Sequence, residues 1–186
     1  LDTRTQQLIE AHAGFNKGFE QRLFDPAGDH HDDVLFPFAA GVFGSGANMS
    51  FDTEYLRSVG GFDAAMGAGT VALGGDDLAA FYDVMATGHQ LVYEPAAIVA
   101  HRHHRELPAL QRQAYGYGAG LSAHLTRCVV NEPRVAFAML RRLPPALRRA
   151  ARIARPERSA DRPEPPPGLT WHHLRGMAAG PVRYVR

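Results

Sequence analysis

The pattern of this chain changes at His101, and that change limits its possible folds more than any single motif does. Before it, apolar residues come in short runs cut by glycine, as in residues 36–51 (FPFAAGVFGSGANMSF) and 67–75 (GAGTVALGG). Runs of this length, broken this way, suit short strands and bends. After it, apolar residues recur at three- and four-residue spacing to Val130, and again over 133–153. That is the period of helices burying one face. Charge shifts at the same place: residues 1–100 carry 14 acids and 4 bases, residues 101–186 carry 5 acids and 16 bases. An acidic α/β part is expected to precede a basic helical one.

Finer punctuation divides each part. Leu8, Ile9, His12, Phe15, Phe19 and Leu23 mark one face of a helix over 3–24, and a polar loop follows over 25–33. Asp52 is suited to cap a short helix that ends at Gly60–Gly61. A further helix opens at Asp76–Asp77 and stops at Gly88, while residues 91–93 and 97–100, separated by Pro95, read as one kinked strand or two. Pro108 fits a first helical turn. Pro144–Pro145 is expected to interrupt the helix over 133–153. Residues 155–168 are too rich in proline and charge to pack and read as a flexible linker, and a last short helix begins near Thr170. The expected division is 1–128 and 129–186.

Composition removes several classes. One cysteine, Cys128, allows no disulfide framework, and its neighbours Leu125, Val129 and Val130 make it a buried helical thiol. No apolar run reaches the ~18–20 residues that cross a bilayer, and the N-terminus is not a signal peptide. Nucleic acid is not an expected partner, because after residue 117 the only aromatic residues are Phe137, Trp171 and Tyr184, too few for stacking.

Four places can carry chemistry. Asp76 and Asp77 follow Gly74–Gly75 at a helix start. They serve there as caps, or Asp77 serves as a general base beside a loop without bulky side chains. His101 opens HRHHR, residues 101–105, where the arginines oppose a closed zinc site but a single histidine can complete a divalent-metal site begun elsewhere. Gly46 and Asn48 lie in GSGANM, residues 44–49, which is neither a P-loop nor a dinucleotide fingerprint, and its glycines let backbone approach a ligand. Arg112 and Tyr115 can clamp a diphosphate and pack on a sugar ring.

In order and spacing, FGSGANMSFDTEYLRSVGGFD, then GAGTVALGGDDLAAFYDVMATGHQLVYEPAAIVAHRHHR, then RQAYGYG resemble the C-terminal, acceptor-side half of family-2 inverting glycosyltransferases over about residues 36–120. The resemblance implies an α/β fold, the C-terminal portion of a Rossmann-like GT-A domain, extended here by a basic α-helical tail. It implies a nucleotide-diphospho-sugar donor, a glycan or lipid-linked acceptor, and a divalent cation, magnesium or manganese. Asp77 would be the base that deprotonates the acceptor hydroxyl, with Asp76 replacing the family's usual Glu. His101 would lie near the metal and diphosphate; Gly46, Asn48, Arg112 and Tyr115 would line the substrates. Arg112 falls near the Gln-x-x-Arg-Trp motif of processive members, but the Trp is missing, which argues against polymer synthesis. The family's nucleotide-binding βαβ unit and its Asp-x-Asp are also missing. The chain is therefore expected to start just past them and not to turn over a sugar nucleotide alone. A non-catalytic acceptor-binding or membrane-surface module derived from such an enzyme is the alternative. Arginines near Val135, Leu140, Leu143 and Leu147 add the expectation of a cytoplasmic protein peripheral to an anionic membrane surface.

Overall fold

A computed structural model describes residues 2–7, 17–28, 35–154 and 168–186. Its elements are β1 (Arg22–Phe24), a 3₁₀ turn (Ala40–Val42), α1 (Thr53–Ser58), α2 (Asp76–Ala86), β2 (Leu91–Tyr93), α3 (Leu107–Asn131), α4 (Pro133–Ala154) and α5 (Leu169–Tyr184). Of the described residues 53% are helical and 4% lie in strands, which corrects the expected α/β, Rossmann-like GT-A architecture. Among the described residues the sheet is one antiparallel pair, Arg22 opposite Tyr93 and Phe24 opposite Leu91.

Local backbone chemistry explains the correction. Residues 36–51 close on themselves through short-range bonds, Phe38 N–H to Leu35 O, Val42 N–H to Ala39 O and Phe43 N–H to Ala40 O, so these groups are spent before a ladder can form. Pro37 has no N–H to give one. Residues 97–100 likewise stay out of the sheet: Ala97 turns back on Glu94, and Ile98 is 76% exposed. The helix expected over 3–24 fails at its end, where Gly18 takes a φ of +93° and residues 22–24 extend into β1. Its stretch 8–16 lies outside the described residues, as do most of the linker expected over 155–168 and residues 29–33 of the polar loop.

Expectations for the helices fare better. Asp52 caps α1, its carboxylate accepting from Tyr55 N–H at 2.8 Å. α2 is central and buries Ala79, Ala80, Phe81, Tyr82, Val84 and Met85. Phe38 stacks on Tyr82, Phe51 on Phe81, and Phe24 meets Phe43 edge-on at 4.9 Å. Cys128 from α3 joins this core, and burial pushes its thiol up to about 12. Contrary to expectation, α4 runs without interruption through Pro144 and Pro145. Pro144 is exposed, so the carbonyl it leaves without a helical donor can bond water. Among the described residues no helix is long and apolar enough to cross a membrane.

α5 is longer than expected, and it lies against α3 in parallel. Gly168 meets Gln111, Gly176 meets Tyr115 and Ala119, and Gly180 meets Ser122 and Ala123, both chains advancing together. A Cβ at Gly118, Gly176 or Gly180 would overlap the opposite helix, on His173 O, Tyr115 O and Ser122 Oγ respectively. Only residues without side chains let two helices approach this closely. The pair is fixed at its far end by Arg127. Its guanidinium grips both oxygens of Asp83 at 2.8 Å and reaches Asp63 at 3.2 Å, while Tyr184 Oη donates to Asp63 at 2.9 Å.

Candidate functional site

The start of α2 positions both candidate carboxylates and sends them in different directions. Gly75 opens the helix at φ +86°, a backbone conformation that an L side chain rarely adopts, and a Cβ there would strike Gly120 O of α3. Asp76 turns under the preceding loop: Gly67 lies against its carboxylate, and Asp76 lines a cavity of about 10 Å³ with Tyr55, Phe62 and Asp83. That volume holds a single water at most.

Asp77 turns outward to the GSGANM loop. Its Oδ2 accepts from Gly46 N–H at 2.9 Å and its Oδ1 from Leu78 N–H at 2.9 Å. A Cβ on Gly46 would stand 2.9 Å from Asp77 Cβ, so this glycine admits the loop backbone to the carboxylate. The neighbour its backbone approaches is thus a side chain of the protein rather than a ligand. Asn48 ties the same loop onward, its Nδ2 donating to Ala97 O at 2.6 Å. Asp77 is half-buried and Gly46 and Asn48 are exposed, so the loop and the carboxylate share an open surface.

A residue not singled out in the sequence completes this surface. Tyr117 of α3 is 48% exposed, and burial, then the nearby Asp77 charge, raise its phenol above the ordinary range. Gln113 Nε2 donates to Tyr117 Oη at 2.9 Å and sets the ring. The Gln113–Tyr117 spacing of four was the available signal, since such pairs share a helix face.

The other candidates stand apart. Tyr115 and Tyr117 are two residues apart on a helix and point about 200° from each other. Tyr115 accordingly faces α5, where Arg183 lies over its ring at 5.9 Å, and lines an open groove of about 400 Å³ with Val71, Ala179, Val182 and Arg186. Arg112 is exposed on α3. His101 is exposed, its ring 5.3 Å from that of buried His103. Gln6, itself 1% exposed, donates to His103 O at 3.0 Å, so the histidine segment anchors the start of the chain.

Among the described residues no three His, Cys, Asp or Glu side chains come together to hold a metal ion. Exposed His101 is a single donor and by itself makes no complete site for the divalent cation that the resemblance implies. No comparison, whether with protein-family models, curated proteins or solved structures, finds a match to this chain.

Proposed function

We propose that this chain supplies the acceptor side of a sugar transfer with inversion from a nucleotide-diphospho-sugar, Asp77 acting as general base. The observation that carries the reading is the held, outward-facing Asp77 carboxylate. Two backbone N–H groups fix its orientation, and it opens on a surface shared with Asn48 and Tyr117. Each carboxylate oxygen retains a lone pair beyond the one its N–H occupies. In the reaction the acceptor hydroxyl gives its proton to Asp77 as its oxygen bonds the anomeric carbon. The bond from that carbon to the diphosphate breaks on the opposite face, and the nucleoside diphosphate leaves with the electron pair. Tyr117 offers an aromatic face to the acceptor sugar, and Asn48 an amide oxygen. No step is assigned to a metal.

Asp77→Asn keeps the shape and removes the base. In the full-length protein carrying this chain, with uridine, guanosine or thymidine diphosphate sugars, kcat is expected to fall at least ~100-fold while donor binding is kept. Transfer within a few-fold of wild type would reduce Asp77 to a tether for the glycine loop. Asp76→Asn should cost little kcat, because Asp76 faces the small cavity.

A further inference from the structure

Helix α4 has two apolar sides, and the fold uses one. On the inner side Val135, Ala138 and Met139 pack on the core, and Arg142 lies over the Phe38 ring at 5.5 Å. On the outer side Phe137 is 66% exposed, Leu140 65% and Leu143 49%. Phe137, Leu140 and Pro144 stand three and four residues apart, so they form one stripe along the helix, with Leu143 at its border. Arg134, Arg141 and Arg148, all exposed, run beside it at seven-residue spacing, and Arg141 leans over the Phe137 ring at 5.8 Å. α4 contains six arginines and no acid.

This arrangement selects its occupant by charge. A second copy of the same face would set its own Arg134, Arg141 and Arg148 against these, which opposes self-association. An anionic bilayer answers both features, with phosphates for the guanidinium groups and acyl chains for the apolar stripe. The helix is not apolar enough to span, so it would lie in the plane of the interface. We infer that the outer face of α4 docks on an anionic membrane surface, with Phe137, Leu140 and Leu143 entering the acyl boundary and Arg134, Arg141 and Arg148 meeting lipid phosphates. The inference is independent of Asp77 and stands whether or not the chain transfers sugars.

The test is co-sedimentation of the full chain with vesicles of phosphatidylcholine, alone or with about a third phosphatidylglycerol, at low and high salt. Binding is expected to be at least ~10-fold tighter to the anionic vesicles and to fade as salt rises. Changing Arg134, Arg141 and Arg148 together to Gln should weaken it roughly 100-fold, about fivefold per arginine. Phe137→Ser with Leu140→Ser should weaken it at least ~10-fold with the circular dichroism spectrum unchanged. Should the serine variant not fold, Phe137→Trp in a Trp171→Phe background reads the same contact: its emission should shift to the blue with anionic vesicles and be quenched by brominated acyl chains. Equal binding to both vesicles, binding untouched by these changes, or a tryptophan that stays in water would overturn the inference. So would a dimer abolished by Leu140→Ser in a chain that ignores vesicles.

Discussion

Asp77 and Arg127 are both bonded carboxylate–cation or carboxylate–amide centres, but their surroundings give them opposite uses. Asp77 meets two backbone N–H groups at the surface and keeps free lone pairs beside Tyr117. If Tyr117 is the acceptor platform, Tyr117→Ala should raise the acceptor KM about tenfold with kcat little changed, and Tyr117→Phe should behave as wild type. Loss of kcat in both variants would make the hydroxyl, rather than the ring face, the working part. Arg127 is enclosed, its side chain 14% exposed against 20% for Asp63 and 21% for Asp83. Arg127→Ala would leave two half-enclosed carboxylates facing each other without a cation. Urea unfolding should show a loss of about 3–5 kcal/mol. A loss below about 1 kcal/mol would mean that water already screens the cluster.

Between elements, the closest fit is that of α3 and α5, and its glycines behave differently from those in turns. Gly180 abuts Ser122 and Ala119, whereas Gly61, at φ +81°, has open space around it. Gly180→Val must push the helices apart and should lower stability by more than ~3 kcal/mol, the upper end for overpacking. Gly61→Ala meets no neighbour and should cost about 1–2 kcal/mol, from backbone strain alone. Thermal melts of the two variants read the difference directly. Near-equal shifts would show that α5 detaches from α3 at little cost. Attachment at the far end is electrostatic: burial, and then the bond to Asp63, push the Tyr184 phenol up to about 12, so it remains a donor at any physiological pH.

For the molecule as a whole, His124 makes stability depend on pH. It is fully buried beside Tyr82 and Cys128, and burial lowers it to about 4 from an ordinary 6.5, with the Arg127 charge adding to the effect and its bond to the Phe38 backbone opposing it. Above pH 6.5 the ring is neutral folded and unfolded, and its burial is uncontested. Between pH 6.5 and 4 the unfolded chain takes up a proton that the folded chain refuses. Stability should therefore fall with acid across this window, by on the order of 3 kcal/mol. Urea midpoints measured at several pH values should show the slope in wild type and lose much of it in His124→Gln. An unchanged slope in the variant would assign it to the carboxylates.

Elements whose signals are local were legible in the residues alone. α1 follows from Asp52 as cap, α2 from its paired aspartates and Gly88 stop, α3 from a 3.6-residue period, and Cys128 is buried because its neighbours on the helix are apolar. Features that depend on contacts between distant residues were settled only as the chain packed. Residues 36–51 are apolar enough for strands, but strands need partners. Among the described residues Arg22–Phe24 and Leu91–Tyr93 alone pair, and residues 36–51 enter the core as turns, through Phe38, Ala40 and Phe43 packed with α2. Tyr115 and Tyr117 look equivalent in RQAYGYG until α5 covers one of them and leaves the other beside Asp77. Gly46 reads as room for a ligand until the start of α2 fills that room with a carboxylate. A periodicity records which face of a helix is apolar, whereas the identity of what lies against that face is fixed only when the chain closes on itself.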